Sequence, residues 1–577
     1  MGAVILRAML HAHRAARSWS LAVLVMLSAL LFSTLVLKHL SYPLLWNDEA
    51  ETAMYAERIL DFGYPKVHDG KNVVFELQST LDVGLKEGLD AYIGSTWGQY
   101  YFGTLGALAA RQVQDPYDKT LLLRAPFALA GLAGIAVFLA LGMALFAGDR
   151  TRQLVFALGY LLLASLSTVL VLHLREMRHC SLVTLLVACT LWTYVRFHVL
   201  GRSRFAVHCA LLATLLTLLF HVFTLPYAAV ATTLGLHQLA LFARRHEFDR
   251  SGLVRLARGL LPLVISAVAV VPALVFFETL HVASELARVA PWIRASFVPS
   301  QHLALILNYL CAQELLLPAA SAKLAALVAR RASRAETLGP ALEQRGRVSS
   351  LLWLLVVVYV AICSWLPFSY ERYLVVLSPV LVLVLLLDAA TLVDLARRRV
   401  ATGRQHWVTA GAALAAVALT LVLVPPRLPA LRGRWREISV PYRGPIDFIV
   451  ADLRARHARP DALVIATNYE SLPLMYYLGS RVTIGFARAN LAEDMAIQPN
   501  VIIRRRWPQG RRALESLAQR ATYDAERLPV ANILYNNIPQ ISANPIVREL
   551  HRFETPLPRN ESDALVVLHL RSEPPAR

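Results

Sequence analysis

The segment SWSLAVLVMLSALLFSTLVLKHL, residues 18–40, is followed directly by SYPLLWNDEAE, residues 41–51. About 20 apolar residues are enough for a helix to cross the hydrocarbon core of a bilayer, so the first segment predicts a membrane-spanning helix. The acidic residues Asp48, Glu49 and Glu51 then lie at a membrane surface, at the mouth of whatever the following helices enclose. That position suits chemistry on a lipid-borne substrate.

The acidic group also fits a simpler interpretation. Asn47 is a good N-cap, acids in a first helical turn interact favourably with the helix dipole, and Gly63 predicts the end of this helix. The helical spacing of Met54, Ile59 and Leu60 predicts a helix that lies along the membrane surface, with its first turn fixed beside the bundle. Helix capping alone and a functional site are therefore both open at this point.

The composition identifies a polytopic membrane protein. The 577 residues are 56% hydrophobic, and the mean hydropathy is +0.50, which is too high for a soluble protein. The first apolar segment follows a basic leader and lacks a small-residue cleavage site, so we expect a retained anchor. About eleven membrane helices are predicted, near residues 18–40, 120–146, 153–172, 177–197, 205–222, 224–243, 259–277, 302–328, 349–367, 371–391 and 407–425.

Arginines occur in alternate loops, as expected of cytoplasmic loops. This pattern predicts a plasma (inner) membrane protein with a cytoplasmic amino terminus and with residues 41–119 and 426–577 outside the cytoplasm. The net charge of +19 then reflects loops that face anionic lipid, and no nucleic acid partner is needed. The loop arginines are Arg150, Arg152, Arg196, Arg202, Arg204, Arg244, Arg245, Arg250, Arg255, Arg258, Arg330, Arg331, Arg334, Arg345, Arg347, Arg397 to Arg399 and Arg404.

The chain divides into a membrane module, residues 1–425, and a soluble domain, residues 426–577. The proline-rich stretch 425–429 predicts a stiff exit from the membrane. An α/β extracytoplasmic (periplasmic) domain follows from alternating patterns: helices at 446–456 and 472–478, and strands at 462–466, 481–484, 501–503 and 565–570. Arg504–Arg506 and Arg511–Arg512 form a basic patch that either contacts an anionic acceptor or merely solvates the surface.

Several classes of active site are missing from the sequence. There is no Cys/His metal spacing, no phosphate-binding glycine loop and no Gly-x-Ser-x-Gly elbow. The cysteines predict small core residues rather than disulfides, and they are Cys180, Cys189, Cys209, Cys311 and Cys363. Four histidines lie near the outer face without identifying a metal site, and they are His173, His179, His221 and His302. No cofactor is certain, and a divalent metal stays an open alternative.

Four sequence features together resemble the protein O-mannosyltransferase and aminoarabinose-lipid A transferase superfamily (glycosyltransferase family 39-like), whose members have the GT-C fold. The features are the acidic pair with its long outer loop, LRAPFALAG at 123–131, HLREMR at 173–178, and YERYL at 370–374. The His/Lys-Pro-Pro-Leu element common in that superfamily is replaced here by STWGQYYF at 95–102. The resemblance covers most of the membrane module and, more loosely, the outer domain.

The resemblance implies a membrane glycosyltransferase that moves one sugar from a polyprenyl-phosphate donor to an acceptor hydroxyl on the outer face. The acceptor is a glycolipid, a glycan or a protein. By the same resemblance Asp48 is the general base, and Glu49 has a different role, because adjacent helical residues point about 100° apart. One base without a close carboxylate partner favours direct displacement with inversion.

The donor phosphate needs fixed positive charge, for which we favour Arg372 at the outer end of a membrane helix, with a hydrogen bond from Tyr373. Arg124 and Arg178 are further phosphate-binding candidates. Arg175 and Glu176 are candidate supporting residues. Structural pairing or snorkelling is the alternative for each of these outer charges. A transporter or flippase of lipid-linked sugars and a non-catalytic envelope-assembly protein remain the alternative functions.

The arginine pattern predicts a topology. Single cysteines, introduced into a chain whose native cysteines have been replaced, can test it. A cysteine at Ser439 should react with a membrane-impermeant maleimide in intact cells. A cysteine at Arg404 should react only after the cytoplasmic face is opened. The reverse result at Ser439 would contradict the eleven-helix topology.

Overall fold

The computed structural model describes residues 2–74, 84–201, 208, 211–215, 225–245, 249–281, 284, 298–332, 339–366, 370–400, 404–484, 491–507, 510–533, 541 and 555–571. Within these ranges, eight helices are long and apolar enough to cross a membrane, or ten if each of two sharply bent pairs is one span. The prediction of a polytopic helical membrane protein is confirmed. The predicted span 205–222 lies largely outside the described residues, and the count of eleven stays a prediction.

The first seven described helices lead from the amino terminus to the middle of the bundle. Their bounds are α1 Gly2–Leu37, α2 Asn47–Phe62, α3 Gly98–Ala110, α4 Pro116–Ala144, α5 Arg150–Leu166, α6 Thr168–Leu174 and α7 His179–Tyr194, with a short hairpin of β1 Leu85–Lys86 and β2 Ala91–Tyr92 before α3. Sequence signals set several ends: Asp115 caps α4 ahead of Pro116, and Gly63 ends α2 in the left-handed region at φ 83°. The predicted end of α2 is therefore confirmed.

The remaining helices of the membrane module, and the helix that follows it, continue the bundle. They are α8 Leu225–Arg245, α9 Arg250–Phe276, α10 Pro299–Ala312, α11 Leu316–Arg331, α12 Pro340–Ser364, α13 Glu371–Leu374, α14 Leu377–Arg399, α15 Gln405–Leu423 and α16 Leu428–Ser439. At residues 425–429, where a stiff exit is predicted, a 3-10 turn at Pro425–Arg427 leads straight into α16. We call the end of the bundle that bears the loop arginines the arginine-rich end, and the opposite end the outer end.

Two predicted spans are broken in the structure. The chain bends by 83° between α5 and α6 and by 87° between α10 and α11, so 153–172 and 302–328 are not continuous helices. The breaks meet, because Ser167 Oγ donates to the Glu314 carboxylate at 3.0 Å. Starting from the arginine-rich end, α5 and α11 have 17 and 16 residues. At 1.5 Å per residue each covers about 25 Å before it breaks, which puts both breaks near the outer end.

The outer domain is a five-stranded sheet with helices on both faces. Its elements are α17 Pro445–Arg456, β3 Val464–Thr467, α18 Ser471–Leu478, β4 Arg481–Ile484, α19 Leu491–Ala496, β5 Val501–Ile503, α20 Arg511–Ala518, β6 Tyr523–Ala531 and β7 Ala564–Leu570. The strand order is β4-β3-β5-β7-β6, with β3 parallel to β4 and β5, and β7 antiparallel to β5 and β6. The predicted α/β domain is confirmed, and every helix and strand proposed for it is present.

The outer domain packs directly on the start of α2. One apolar core contains Leu45 and Ala53 together with Ile449 and Leu474 of the outer domain. Met54 and Ile59 also belong to this core, so they pack inside the protein rather than against lipid. Three hydrogen bonds reinforce the contact: Leu44 N donates to Asp447 Oδ1 (3.2 Å), Leu45 N to Tyr477 Oη (3.1 Å) and Leu472 N to Asn47 Oδ1 (3.4 Å).

Two minor predictions are wrong. Cys311 is exposed rather than a core residue, whereas Cys180 and Cys363 are buried, and Cys209 lies outside the described residues. The basic patch is not a single surface: the Arg505 side chain is fully buried in an ion pair with Glu470, and Arg511 is paired with Glu515 on α20.

Close packing of α4 on α7 depends on a glycine. A Cβ at Gly134 would lie 2.8 Å from the backbone nitrogen of Leu185, whereas a Cβ at Gly411 of α15 would meet nothing within 4 Å. We expect Gly134→Ala to lower the free energy of unfolding by about 1–3 kcal/mol, because the methyl group must push the two helices apart. Gly411→Ala is the matched control and should keep or raise the Tm, since Ala favours a helix over Gly. Thermal unfolding in detergent measures both, and an unchanged Tm for Gly134→Ala would contradict the close contact.

Candidate active site

The first turn of α2 lies at the outer end, between the bundle and the outer domain. The helix begins at Asn47, and the residue before it, Trp46, makes no capping hydrogen bond from its side chain. The Asn47 side chain instead accepts from the backbone of Leu472 in the outer domain. The start of α2 is therefore joined to the outer domain through Asn47.

Asp48 lies between two arginines from distant parts of the chain. Its Oδ2 is 2.7 Å from Arg372 Nη1 and 3.4 Å from Arg178 Nη2. The arginine side chains are 8% and 7% exposed, and that of Asp48 is 17% exposed. The carboxylate is thus the open member of an otherwise buried ion cluster.

The turn that carries Arg372 is held from two sides. The Tyr359 hydroxyl of α12 donates to the carbonyl of Tyr373 at 2.7 Å, and the Cys180 thiol of α7 lies 3.8 Å from the carbonyl of Arg372. The rings of Tyr370 and Tyr373 lie 5.2 and 5.7 Å from the Arg372 guanidinium carbon. Arg178 is fixed from α2 itself, since its Nη1 donates to the carbonyl of Asp48 at 2.9 Å.

Glu49 occupies a different environment from its neighbour. Its side chain is 0% exposed and forms a two-pronged ion pair with Arg124 of α4. The same carboxylate accepts from Met177 N at 2.8 Å, and Arg124 also donates to the carbonyls of Leu40 and Pro43. This geometry favours a structural role for the Glu49 and Arg124 pair, which ties α1, α2, α4 and the 175–178 turn together.

Two other candidates from the sequence also make structural contacts. Arg175 donates to the carbonyls of Lys38 and His39 at the end of α1. Glu176 lies 2.8 Å from His173 Nδ1, with both side chains buried. Of the site residues predicted from the sequence, the structure brings together Asp48, Arg178, Arg372 and Tyr373, and Arg175 and Glu176 lie on the turn that carries Arg178.

Glu51 and Tyr100 belong to the cluster, although the sequence did not single them out as site residues. Glu51 is 8% exposed and accepts a hydrogen bond from Tyr100 Oη at 2.7 Å. Burial raises the pKa of Glu51 above its usual value; Arg178 opposes this shift and the Asp48 charge adds to it. The spacing of Asp48 and Glu51 at i and i+3 was the available signal, because it places both carboxylates on one helical face.

Two buried donors in the cluster lack an acceptor. Among the residues that the structure describes, Arg178 Nε and Arg372 Nε have no hydrogen-bond partner. Such groups are uncommon in folded proteins, because an unpaired buried donor costs about 1–3 kcal/mol. Two unpaired guanidinium N–H groups beside one carboxylate indicate a place for an anionic ligand.

The structure gives no support to a metal in this cluster. Among the described residues, no group of three or more His, Cys, Asp and Glu side chains could hold a metal ion. His173 and His179 are buried, and His173 is paired with Glu176. His221 lies outside the described residues.

Known proteins resemble the chain in structure but not in sequence. No family model and no curated protein sequence matches it. It is similar to apo ArnT from Cupriavidus metallidurans (15% identity, 96% of this chain and 98% of that chain, TM-score 0.49) and to the same protein bound to undecaprenyl phosphate (15%, 96%, 98%, 0.46). It is also similar to the Archaeoglobus fulgidus oligosaccharyltransferase in complex with Zn and sulfate (12%, 84%, 68%, 0.49).

At 12 to 15% identity and TM-scores below 0.5, the likeness carries no argument about the donor, the acceptor or the role of any residue in this chain.

The buried ion pair provides a test of the structural role of Glu49. Glu49→Gln should lower the free energy of unfolding by about 3–5 kcal/mol, because Arg124 is left as a buried charge without its counter-ion. Glu343→Gln is the matched control, since its ion pair with Arg347 on α12 has side chains that are 50% and 47% exposed. Removal of that exposed pair should cost about 0–1 kcal/mol. Equal Tm values for the two variants would contradict the structural assignment of Glu49.

Proposed function

We propose that this chain is a membrane glycosyltransferase that moves one sugar from a polyprenyl-phosphate donor to an acceptor hydroxyl at the outer face of the plasma (inner) membrane. Asp48 is the general base, and Arg372 and Arg178 bind the donor phosphate. The observation that carries the proposal is the partly open Asp48 carboxylate between two buried arginines, each with an Nε–H that lacks an acceptor.

The cluster has the charge that a phosphate requires. Arg178 and Arg372 face the carboxylates of Asp48 and Glu51. Burial raises the pKa of Glu51 above its usual value, so Glu51 takes up a proton more readily than a free glutamate does. When Glu51 is protonated, the two arginines face Asp48 alone and the cluster carries a net positive charge. Guanidinium groups also match phosphate oxygens geometrically, since each can donate two parallel hydrogen bonds.

Donor binding would change the partners of Asp48. A phosphate that engages Arg372 and Arg178 competes with Asp48 for the same guanidinium donors. The carboxylate then loses counter-ions, which makes it a stronger proton acceptor. The cluster thus couples the arrival of the donor to activation of the base, and the order of binding is donor first.

The same geometry leaves one carboxylate for the chemistry. The Glu49 carboxylate is already bonded to Arg124 and to the Met177 amide, and Glu51 is buried against Tyr100. A retaining mechanism needs a second carboxyl group across the anomeric carbon. With Asp48 alone, the acceptor oxygen attacks C1 of the sugar as its proton passes to Asp48. The bond from C1 to the phosphate oxygen breaks on the opposite side, and polyprenyl phosphate leaves with inversion at C1.

The bundle and the outer domain give each substrate a direction of approach. The donor lipid reaches Arg372 from the membrane, because α13 directly precedes the membrane helix α14. The acceptor approaches Asp48 from the water side, where the outer domain packs on the start of α2. A glycolipid, a glycan and a protein hydroxyl all meet this requirement.

The broken helices bear on the transporter alternative. Interrupted helices are typical of transporters, in which the breaks lie at the midplane and line the substrate site. Here both breaks lie near the outer end and bond to each other through Ser167 and Glu314. They therefore do not form a midplane site, and the ion cluster around Asp48 has no role in simple translocation.

The proposal separates binding of the donor from transfer of the sugar. Purified variants are titrated with polyprenyl phosphate, and binding is followed by native mass spectrometry. In parallel, envelope glycolipids, glycans and proteins from cells that express each variant are compared by mass for the gain of one monosaccharide. Asp48→Asn should bind polyprenyl phosphate at least as tightly as wild type, because a competitor for the arginines is weakened. Its transfer activity should fall by about 10²–10⁴-fold, the usual loss on removal of a general base.

Arg372→Ala should instead impair binding of polyprenyl phosphate. Loss of a charge-assisted contact, worth about 1.5–3 kcal/mol, weakens polyprenyl-phosphate binding by roughly 10- to 150-fold. Arg372→Lys should restore it in part, since lysine lacks the planar fork. Glu57→Gln, on the same helix but away from the cluster, is the control and should bind and transfer as wild type. A folded Asp48→Asn protein with full transfer would refute the base, and unimpaired binding by Arg372→Ala would refute the phosphate site.

A further inference from the structure

A polar cavity lies at the arginine-rich end, far from the Asp48 cluster. It has a volume of about 270 Å³ and is formed where α8, α9 and the chain after α7 meet. The opposite end of α9 marks the outer side, because Phe276 packs against Trp97 of the outer loop. Arg255 and Arg258, one turn apart on α9, line the cavity.

The walls combine positive charge with apolar surface. Phe197, Leu241 and Phe242 line the cavity beside the two arginines, and no Asp or Glu is among the described residues that line it. Asp249, directly before α9, caps that helix by accepting from Gly252 N at 2.9 Å; its hydrogen bonds lower the pKa of Asp249, and the charge of Arg255 contributes to the lowered pKa. A ligand with one anionic group and an adjoining hydrocarbon part fits such a lining.

A π-turn and a glycine determine the shape of the backbone around the cavity. After α7 the chain widens into a π-turn at Val195–Val199, which carries Phe197 and His198 into the wall. The floor is fixed by internal hydrogen bonds, since Gln238 Nε2 donates to Tyr194 Oη at 2.7 Å. Gly259 permits this packing, because a Cβ there would lie 2.6 Å from Gln238 Oε1.

We propose that this cavity binds the phosphate headgroup of an anionic phospholipid from the cytoplasmic leaflet. The arginine-rich end faces that leaflet in the proposed topology, and basic pockets between membrane helices on that side commonly take anionic headgroups. The volume suits a headgroup rather than a whole lipid, since sites for drug-sized ligands are about 300–1,000 Å³. Exposed apolar residues of α9, such as Leu253 and Leu261, are available to contact the acyl chains.

The test uses the full chain in neutral detergent, titrated with phosphatidylglycerol or phosphatidylcholine and followed by native mass spectrometry. Wild type should hold phosphatidylglycerol at lower concentration than phosphatidylcholine, and phosphatidylglycerol should raise the Tm. The double variant Arg255→Gln/Arg258→Gln should lose that preference, with affinity about 5-fold lower per arginine and about 30-fold lower for both. The double lysine variant should keep most of it, since its charges remain.

Three controls make the result specific. Arg331→Gln removes an exposed arginine from the same end of the bundle and should bind phosphatidylglycerol as wild type does. Arg372→Ala should also keep it, which separates this cavity from the proposed donor site. Leu256→Trp fills the cavity while both arginines remain, and it should reduce binding even if the double glutamine variant fails to fold.

The proposal is overturned if the folded glutamine variant retains phosphatidylglycerol, or if the lipid binds no better than phosphatidylcholine. It is also overturned if inorganic phosphate alone raises the Tm as much as phosphatidylglycerol does. That outcome would identify the cavity as a site for a soluble anion.

Discussion

The first turn of α2 carries three carboxylates in four residues, at a place that water barely reaches. A buried carboxylate is stable only with a counter-ion, with hydrogen bonds or with a proton. The three carboxylates are stabilised differently: Glu49 has Arg124, Asp48 has Arg372 and Arg178, and Glu51 accepts a hydrogen bond from Tyr100 while burial raises its pKa. The partners come from α3, α4, the turn before α7 and α13, so this one turn fixes how four distant segments meet.

Asp48 and Glu49 are adjacent and chemically similar, but their environments differ. Both are acidic, both begin the same helix and both face arginines. Glu49 has no exposure and no spare capacity, because Arg124 and the Met177 amide occupy its oxygens. Asp48 is partly open, and its arginines each retain an unused N–H. A fully paired carboxylate and a partly open one thus lie one residue apart on the same helix.

The sequence predicted much of this architecture because hydrophobic length and local periodicity are local properties. Membrane spans, the end of α2 at Gly63 and the strand at 501–503 were all readable in this way. The breaks at Ser167 and Gln313–Leu315 could not be predicted in this way, because a bend leaves the apolar length of a segment unchanged. Strand β6 was missed because it is an edge strand with several charges and Pro529, which weaken the pattern of a strand. The candidate arginines could be named from the sequence, but their roles could not be assigned. The choice between Arg124 and Arg372 depends on which carboxylate each one contacts in the folded protein.

The hydrogen bonds between the outer domain and the start of α2 join residues far apart in the chain. Leu44 and Asp447 are separated by 403 positions, and Asn47 and Leu472 by 425. During synthesis the amino-terminal helices enter the membrane first, while the segment that completes their outer surface is still unmade. The acidic turn therefore receives its last supports only after the carboxyl-terminal segment has been synthesised and has folded. Assembly of the site is consequently a late event in biogenesis, and an incomplete chain would display these residues without their finished surroundings.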